Sequence, residues 1–240
     1  MTIAFLNDEF VPLEDARISP MDRGFLFGDG IYEVIPSYGG KLIGLNLHLA
    51  RLEKGLSEIG LKIPWSRFQL TNIFAKLTEK NGNGNLGIYL QITRGVTMKR
   101  NHAFPANTPP TLFAYTFDIP EPVSGDPEKV THWKVMTRQD LRWQRCHIKS
   151  TSLLGNVLHM MEGIDDGGGE ILLFDANNQL TEAAACNVFV VFNNEVKTPP
   201  LDQHKLAGVT RDMALHILRA HSSLNVYETQ ITKDEVLASD

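Results

Sequence analysis

The chain has 240 residues, 42% of them hydrophobic and 21% charged, which suits a globular protein of one large or two small domains. Its net charge of −5 comes without any basic run, so nucleic-acid binding has no electrostatic support, and no apolar stretch reaches membrane-spanning length. The start, Met1-Thr2-Ile3-Ala4-Phe5-Leu6-Asn7-Asp8, lacks the basic and apolar regions of a signal peptide, and Cys146 and Cys186 do not make a disulfide framework, so reduced thiols in the cytoplasm are expected.

In chain order, 3–18 reads as short strands with a turn at Asn7-Asp8. Strands over 31–37 and 42–45 join at Gly39-Gly40. Leu47, Leu49, Leu52, Leu56 and Ile59 recur at helical spacing, and Gly60 is the stop. A second helix is predicted over 66–80, and strands over 86–93 and 111–117. The stretch 118–127 is rich in proline and turn formers and reads as a linker. Beyond it come a strand over 130–137, a helix over 151–164 and a loop at Gly167-Gly168-Gly169. Strands over 170–174 and 187–192, a helix over 210–221 and a strand over 225–230 complete the pattern. The expectation is an N-terminal α/β domain at 1–118, a linker at 119–126 and a second domain at 127–240.

Some motifs are decoys. Gly82-Asn83-Gly84-Asn85-Leu86-Gly87 matches the dinucleotide pattern GxGxxG, but a helix precedes it and a strand follows, the reverse of what a pyrophosphate site needs. It reads as a turn. His102, His132 and His147 lack metal-ligand spacing, so no metal is expected. No GxSxG elbow for a serine hydrolase occurs.

Four stretches carry chemistry. Lys149 lies in Cys146-His147-Ile148-Lys149-Ser150-Thr151-Ser152-Leu153-Leu154-Gly155-Asn156, ahead of a predicted helix. Glu182 lies in Leu180-Thr181-Glu182-Ala183-Ala184-Ala185-Cys186-Asn187-Val188-Phe189. Arg51, in Asn46-Leu47-His48-Leu49-Ala50-Arg51-Leu52, offers a planar fork of donors suited to a phosphate, or a surface ion pair with Glu53 or Glu58. Leu206-Ala207-Gly208-Val209-Thr210-Arg211 precedes a helix, whose N-terminus suits an anion; alternatively Thr210 caps that helix and Leu206 packs in a core.

With Asp22-Arg23-Gly24-Phe25-Leu26-Phe27-Gly28-Asp29-Gly30-Ile31-Tyr32-Glu33, these stretches resemble, in order, the motifs of the class IV aminotransferases, which are fold-type IV pyridoxal-phosphate (PLP) enzymes. The matches cover most of the chain. The resemblance implies an α+β fold of two domains, a small N-terminal α/β sandwich and a larger C-terminal pseudo-barrel, incomplete at its C-terminal end. It implies pyridoxal 5'-phosphate as cofactor, with Lys149 condensed with its aldehyde and acting as the catalytic base and acid. Glu182 would face the pyridine nitrogen, and Arg51, Asn187, Leu206, Gly208, Val209 and Thr210 would complete the cofactor site.

Within the family, Thr93-Arg94-Gly95-Val96-Thr97-Met98-Lys99-Arg100-Asn101-His102-Ala103-Phe104-Pro105 resembles the loop of D-amino-acid transaminases that captures the substrate carboxylate. Arg100 and His102, with Tyr32, would bind it, and the loop would come from a neighbouring subunit, which implies a homodimer. The partners are then amino-acid and 2-oxo-acid substrates. A 4-amino-4-deoxychorismate lyase, a branched-chain L-amino-acid aminotransferase and a non-catalytic PLP-binding protein stay open as alternatives. Two departures stand out: Ala183-Ala184-Ala185 replaces the serines usual after the glutamate, and the chain stops at Val236-Leu237-Ala238-Ser239-Asp240, where relatives usually continue.

Overall fold

The computed structural model describes residues 1–122 and 125–239. They fall into two compact units: Met1–Val130 with Ile148–Ser152, and Thr131–His147 with Leu153–Asp240. The linker expected at 119–126 includes Val123 and Ser124, which lie outside the described residues.

The first unit is a mixed α/β layer. Its strands β1 (Ile3–Leu6), β2 (Glu9–Pro12), β3 (Gly30–Tyr38), β4 (Lys41–Leu42), β5 (Asn85–Thr93) and β6 (Thr111–Asp118) form an antiparallel sheet in the order β2-β1-β6-β5-β3-β4. Its helices are α1 (Arg23–Phe27), α2 (Leu45–Glu58) and α3 (Arg67–Lys80). In β3 the period-two rule puts Ile31, Glu33 and Ile35 on the buried side. There Ile31 and Ile35 pack with Leu49, Leu52 and Leu56 of α2, Leu70, Phe74 and Leu77 of α3, and Ile88, Leu90 and Ile92 of β5. The opposite face carries an aromatic row, Tyr32, Tyr89, Tyr115 and Phe113, with successive ring centroids 5.4 to 5.8 Å apart.

Local chemistry sets the boundaries. Ser66 caps α3 in a reciprocal box with Gln69. Gly60, at φ 59°, follows α2 as the periodicity predicts. The second strand stops at Leu42 instead of Leu45, because Gly44, in the left-handed region at φ 62°, starts α2 at Leu45. The turn at Gly82 lies between α3 and β5, so the dinucleotide-like letters are an αβ connection.

Ile148–Ser152 returns to the first unit by main-chain pairing. Tyr32 N–H donates to Lys149 C=O (3.0 Å), Ser150 bridges Ile31, and Thr151 N–H donates to Gly30 C=O (3.0 Å). Ile148 is buried in the same core. This pairing explains why the helix predicted from 151 starts only at Leu154: Thr151 and Ser152 also give their hydroxyls to Gly28 C=O.

The second unit holds two three-stranded sheets. One orders β7 (Val135–Gln139), β8 (Glu170–Phe174) and β9 (Leu180–Ala183) as β7-β8-β9; the other orders β10 (Val190–Phe192), β11 (Glu195–Thr198) and β12 (Asn225–Glu228) as β10-β11-β12. Helices α4 (Leu154–Asp165), α5 (Val209–His221) and α6 (Lys233–Leu237) belong to this unit. Every residue of β8 is buried: an apolar run at 171–174 follows Glu170, whose carboxylate accepts from Ile171 N–H and Ala184 N–H. No helix among the described residues is long and apolar enough to cross a membrane.

Two glycines give a paired test of this backbone. Gly95 has φ 86°, and a Cβ there would lie 1.9 Å from Pro109 C=O, whereas Gly39, at φ 55°, faces open space. Gly39→Ala should cost about 1–2 kcal/mol, the left-handed penalty alone, and Gly95→Ala clearly more, because backbone must also move. Denaturant unfolding of both variants checks this; equal losses would mean that the approach to Pro109 costs nothing.

Candidate active site

The residues singled out in the sequence fall in both units, and each set has its own geometry. In the first unit the Lys149 ammonium lies 4.1 Å from the centre of the Tyr32 ring, a cation–π distance. Both are placed by the pairing of 149–151 with β3.

Next to Tyr32, on the buried face, Glu33 is 1% exposed. Its Oε1 accepts from Arg51 Nε (2.8 Å) and its Oε2 from Arg51 Nη2 (2.7 Å), with His48 Nδ1 at 2.8 Å from the same Oε2. Burial pushes the Glu33 carboxyl up, but the hydrogen bonds and charges of Arg51 and His48 outweigh it and hold the group below the usual range. Arg51 is therefore oriented by a buried bidentate pair with Glu33; Glu53, one of its expected surface partners, pairs instead with Arg67.

Arg100 and His102 come together on one ring. The Arg100 guanidinium is 5.0 Å from the centre of Phe27, and the His102 ring is 5.3 Å from it. Both side chains lie on an exposed loop.

In the second unit, Glu182 is 6% exposed and both its oxygens are used. Oε1 accepts from Arg142 Nη1 (2.6 Å); Oε2 accepts from Leu206 N–H (3.0 Å) and Asn187 Nδ2 (3.1 Å). Asn187 Nδ2 also donates to Leu206 C=O (2.9 Å). Gly208 is required here, since a Cβ would lie 2.0 Å from Asn187 Oδ1. Gly208 holds the N-cap position of α5 and Val209 is the first helical residue, so Thr210 sits inside the first turn, exposed, and does not cap the helix.

Arg142 is the residue on which this cluster turns. Its side chain is 2% exposed and is divided between Glu182 and Asp140, whose oxygens accept from Nε (3.0 Å) and Nη2 (2.8 Å). Thr181 Oγ1 lies 2.8 Å from Asp140 Oδ2. The two carboxylates shift in opposite directions. Burial raises Asp140, but the bonds and charge of Arg142, helped by Thr181, bring it below its ordinary value. Burial raises Glu182 as well; there Arg142 and Leu206 offset only part of the rise, and Asp140 adds repulsion. One guanidinium serving two carboxylates accounts for this asymmetry.

Comparison with known proteins follows the same residues. The profile of the amino-transferase class IV family matches residues 30–240. The chain belongs to the class IV aminotransferases. It is an aminotransferase with the α+β, two-domain fold of fold-type IV enzymes. The D-alanine aminotransferase of Bacillus licheniformis is 36% identical over 98% of this chain and 81% of its own length. That of Listeria monocytogenes is 33% identical over 98% of this chain and 80% of its own length. Among solved structures, the Escherichia coli branched-chain aminotransferase superposes with a TM-score of 0.89 at 21% identity, covering 99% of this chain and 80% of its own. The branched-chain aminotransferase of the archaeon Thermoproteus uzoniensis, solved with norvaline, gives 0.86 at 20% identity over 100% of this chain and 82% of its own.

Arg142, Asp140, Glu33 and His48 were not anticipated as site residues. Glu33 carried a usable signal, a charge in the inward register of an apolar strand between Ile31 and Ile35. Asp140 and Arg142 follow β7 on a loop without periodicity, and nothing local distinguishes them from a solvated pair.

Arg142→Met tests the shared guanidinium. Removing one member of a buried ionic cluster costs about 3–5 kcal/mol, because the remaining carboxylates are left buried and unpaired. In the wild-type protein the Asp140 contribution is present above the ordinary carboxylate range and is lost as pH falls through its depressed folded value. In the variant, burial outweighs the hydrogen bonds left by Thr181, Asn187 and Leu206 and raises both carboxyls, so the folded state binds protons before the unfolded state does. Its stability deficit should therefore shrink between neutral pH and about pH 5. Urea unfolding at both pH values measures this; a deficit that grows on acidification would contradict the assignment.

Proposed function

We propose that this aminotransferase moves the amino group between a D-amino acid, such as D-alanine or D-glutamate, and a 2-oxo acid, with pyridoxal 5'-phosphate as cofactor. The observation that carries this reading is the 33–38% identity to D-alanine aminotransferases over most of the chain. The branched-chain structures, at 19–22% identity, speak to the fold alone. Arg100 and His102 gathered on Phe27 support the same reading, since they offer cationic and hydrogen-bonding groups to a carboxylate.

The donor set fits the functional ends of that cofactor. Glu182 is a buried carboxylate held at both oxygens, suited to a protonated ring nitrogen. Gly208 and Val209 open α5, where a helix leaves its first N–H groups without an internal partner, and Arg51 adds a guanidinium; both suit a phosphate. The Lys149 amine suits the aldehyde. When bound, the pyridine ring supplies an electron sink for negative charge at the substrate Cα.

The chain's own groups do the rest. Lys149 Nζ takes the proton from Cα and returns it to the product side, acting in turn as base and acid. Arg142, Asn187 and the Leu206 N–H keep Glu182 in place. Leu206, Val209 and Thr210 frame the cofactor region. Arg100 and His102, from a neighbouring copy, and Tyr32 fix the substrate carboxylate and so the face that Cα presents. The cytoplasmic setting and the homodimer are part of this proposal.

The half-reaction with single enantiomers tests it. D-alanine should discharge the cofactor absorbance at least tenfold faster than L-alanine, a difference of about 1.4 kcal/mol in barrier. Lys149→Ala should slow the reaction with D-alanine by about 10²–10⁴-fold. Faster reaction with L-leucine than with D-alanine would move the enzyme to the branched-chain type, and pyruvate release from aminodeoxychorismate would make it a lyase.

A further inference from the structure

The segment 22–29 has no role in the chemistry above, yet it is built around two buried arginines. Arg23 is 3% exposed and Arg94 is 5% exposed. Both share one carboxylate oxygen: Asp29 Oδ2 accepts from Arg23 Nε (2.7 Å) and from Arg94 Nε (2.8 Å). The cluster carries one positive charge in excess, and its remaining N–H groups reach main-chain carbonyls. Arg94 Nη2 donates to Ile59 C=O (2.7 Å). Arg23 Nη1 donates to Asn101 C=O (2.6 Å) and Nη2 to His102 C=O (3.3 Å).

Those two carbonyls belong to the Arg100–Phe104 loop. The same cluster touches the loop on its other side, where the Arg94 guanidinium lies 3.7 Å from the centre of the Phe104 ring. Phe27, at the end of α1, completes the contact, with Arg23 at 4.7 Å, Arg100 at 5.0 Å and the His102 ring at 5.3 Å from its centre. The loop is otherwise exposed, and its own internal bond is short range, Ala103 N–H to Asn101 Oδ1 (3.1 Å). An exposed loop with so little internal support loses conformational entropy whenever it orders on a ligand.

The backbone around the clamp is equally constrained. Asp22 accepts from Gly24 N–H (2.8 Å) and from Thr111 Oγ1 (2.7 Å), which fixes the start of α1. Gly24 has no space for a side chain, since a Cβ would lie 2.3 Å from Thr93 Cγ2. Arg23 N–H donates to Gly95 C=O (2.9 Å) and Arg94 N–H to Asp29 C=O (3.1 Å), so both arginines are held by their own main chains.

We propose that Asp29, Arg23 and Arg94 form a clamp that holds the 100–104 loop in its binding shape and thereby sets affinity for the substrate carboxylate. The three are positioning residues: Arg23 and Arg94 touch the loop, Asp29 holds both arginines, and the loop is the part that meets substrate. The inference rests on the proposed role of Arg100 and His102, and it predicts an effect on binding without one on the chemical step.

Steady-state kinetics with D-alanine on Arg23→Gln, Arg100→Ala and the double variant test it, together with amide hydrogen exchange over 99–105. Arg23→Gln should raise KM about tenfold and leave kcat within about twofold, the pattern of lost uniform binding. Exchange over 99–105 should quicken. The double variant should have a KM well below the product of the two separate rises, because a loop without its arginine keeps only His102 to position. An unchanged KM in Arg100→Ala would overturn the substrate role of the loop. A raised KM there beside wild-type values in Arg23→Gln would overturn the clamp alone, as would additive effects in the double variant. Asp29→Asn, which loosens both arginines and keeps them in place, should repeat the rise in KM and the faster exchange if Arg23→Gln does not fold; wild-type values in it would overturn the clamp.

Discussion

Arg142 gives Nε and Nη2 to Asp140 and Nη1 to Glu182, and its side chain is nearly closed to solvent. Charges so buried persist only when paired and hydrogen bonded on all sides. This one guanidinium therefore fixes where Glu182 points, and with Leu206 N–H and Asn187 it leaves the carboxylate a single orientation. It also sets the balance of charge. Asp140 takes the larger share of the arginine and falls in pKa, while Glu182 stays raised. A carboxylate in that state binds a cationic partner strongly, and a protonated ring nitrogen is such a partner.

The first unit uses the opposite arrangement. Glu33 is one carboxylate served by Arg51 and His48, and Asp29 is one carboxylate served by Arg23 and Arg94. At Asp29 the two arginines leave one positive charge in excess, next to the loop proposed to bind the substrate carboxylate. The sharing has a structural benefit as well. Each arginine is locked by a partner before any ligand arrives, so binding costs less side-chain entropy.

Much of the fold was legible from patterning. The helices α2 and α3 follow from leucine spacing and the Ser66 cap, and β3, β5, β6 and β8 from apolar strand runs. Short elements were not. The five-residue α1 is made by Asp22 and the left-handed Gly28, not by periodicity, and α6 by a Thr232–Glu235 capping box. β9 and β11, of four residues each, are too short to show alternation. For the site, Lys149, Arg51, Glu182, Asn187 and Leu206 came from motifs, but Arg142 and Asp140 beside Glu182, and Glu33 and His48 beside Arg51, did not. Asp140 and Arg142 sit 42 and 40 positions before Glu182, respectively, by the numbering of the chain, and no local pattern encodes such a pairing. The return of Ile148–Ser152 to β3 is equally invisible, because it depends on main-chain bonds that any residues can make.

The central claim is that Glu182 is the charged partner of the cofactor ring. The half-reaction of Glu182→Gln with D-alanine tests it most directly. The amide keeps the shape and most of the hydrogen bonds but lacks the charge that favours a protonated ring nitrogen. Loss of a hydrogen bond between charged groups is worth about 1.5–3 kcal/mol, or roughly one to two decades in rate. The account predicts that the variant retains its cofactor and reacts slower by that factor; a variant that retains its cofactor and reacts at the wild-type rate would contradict it.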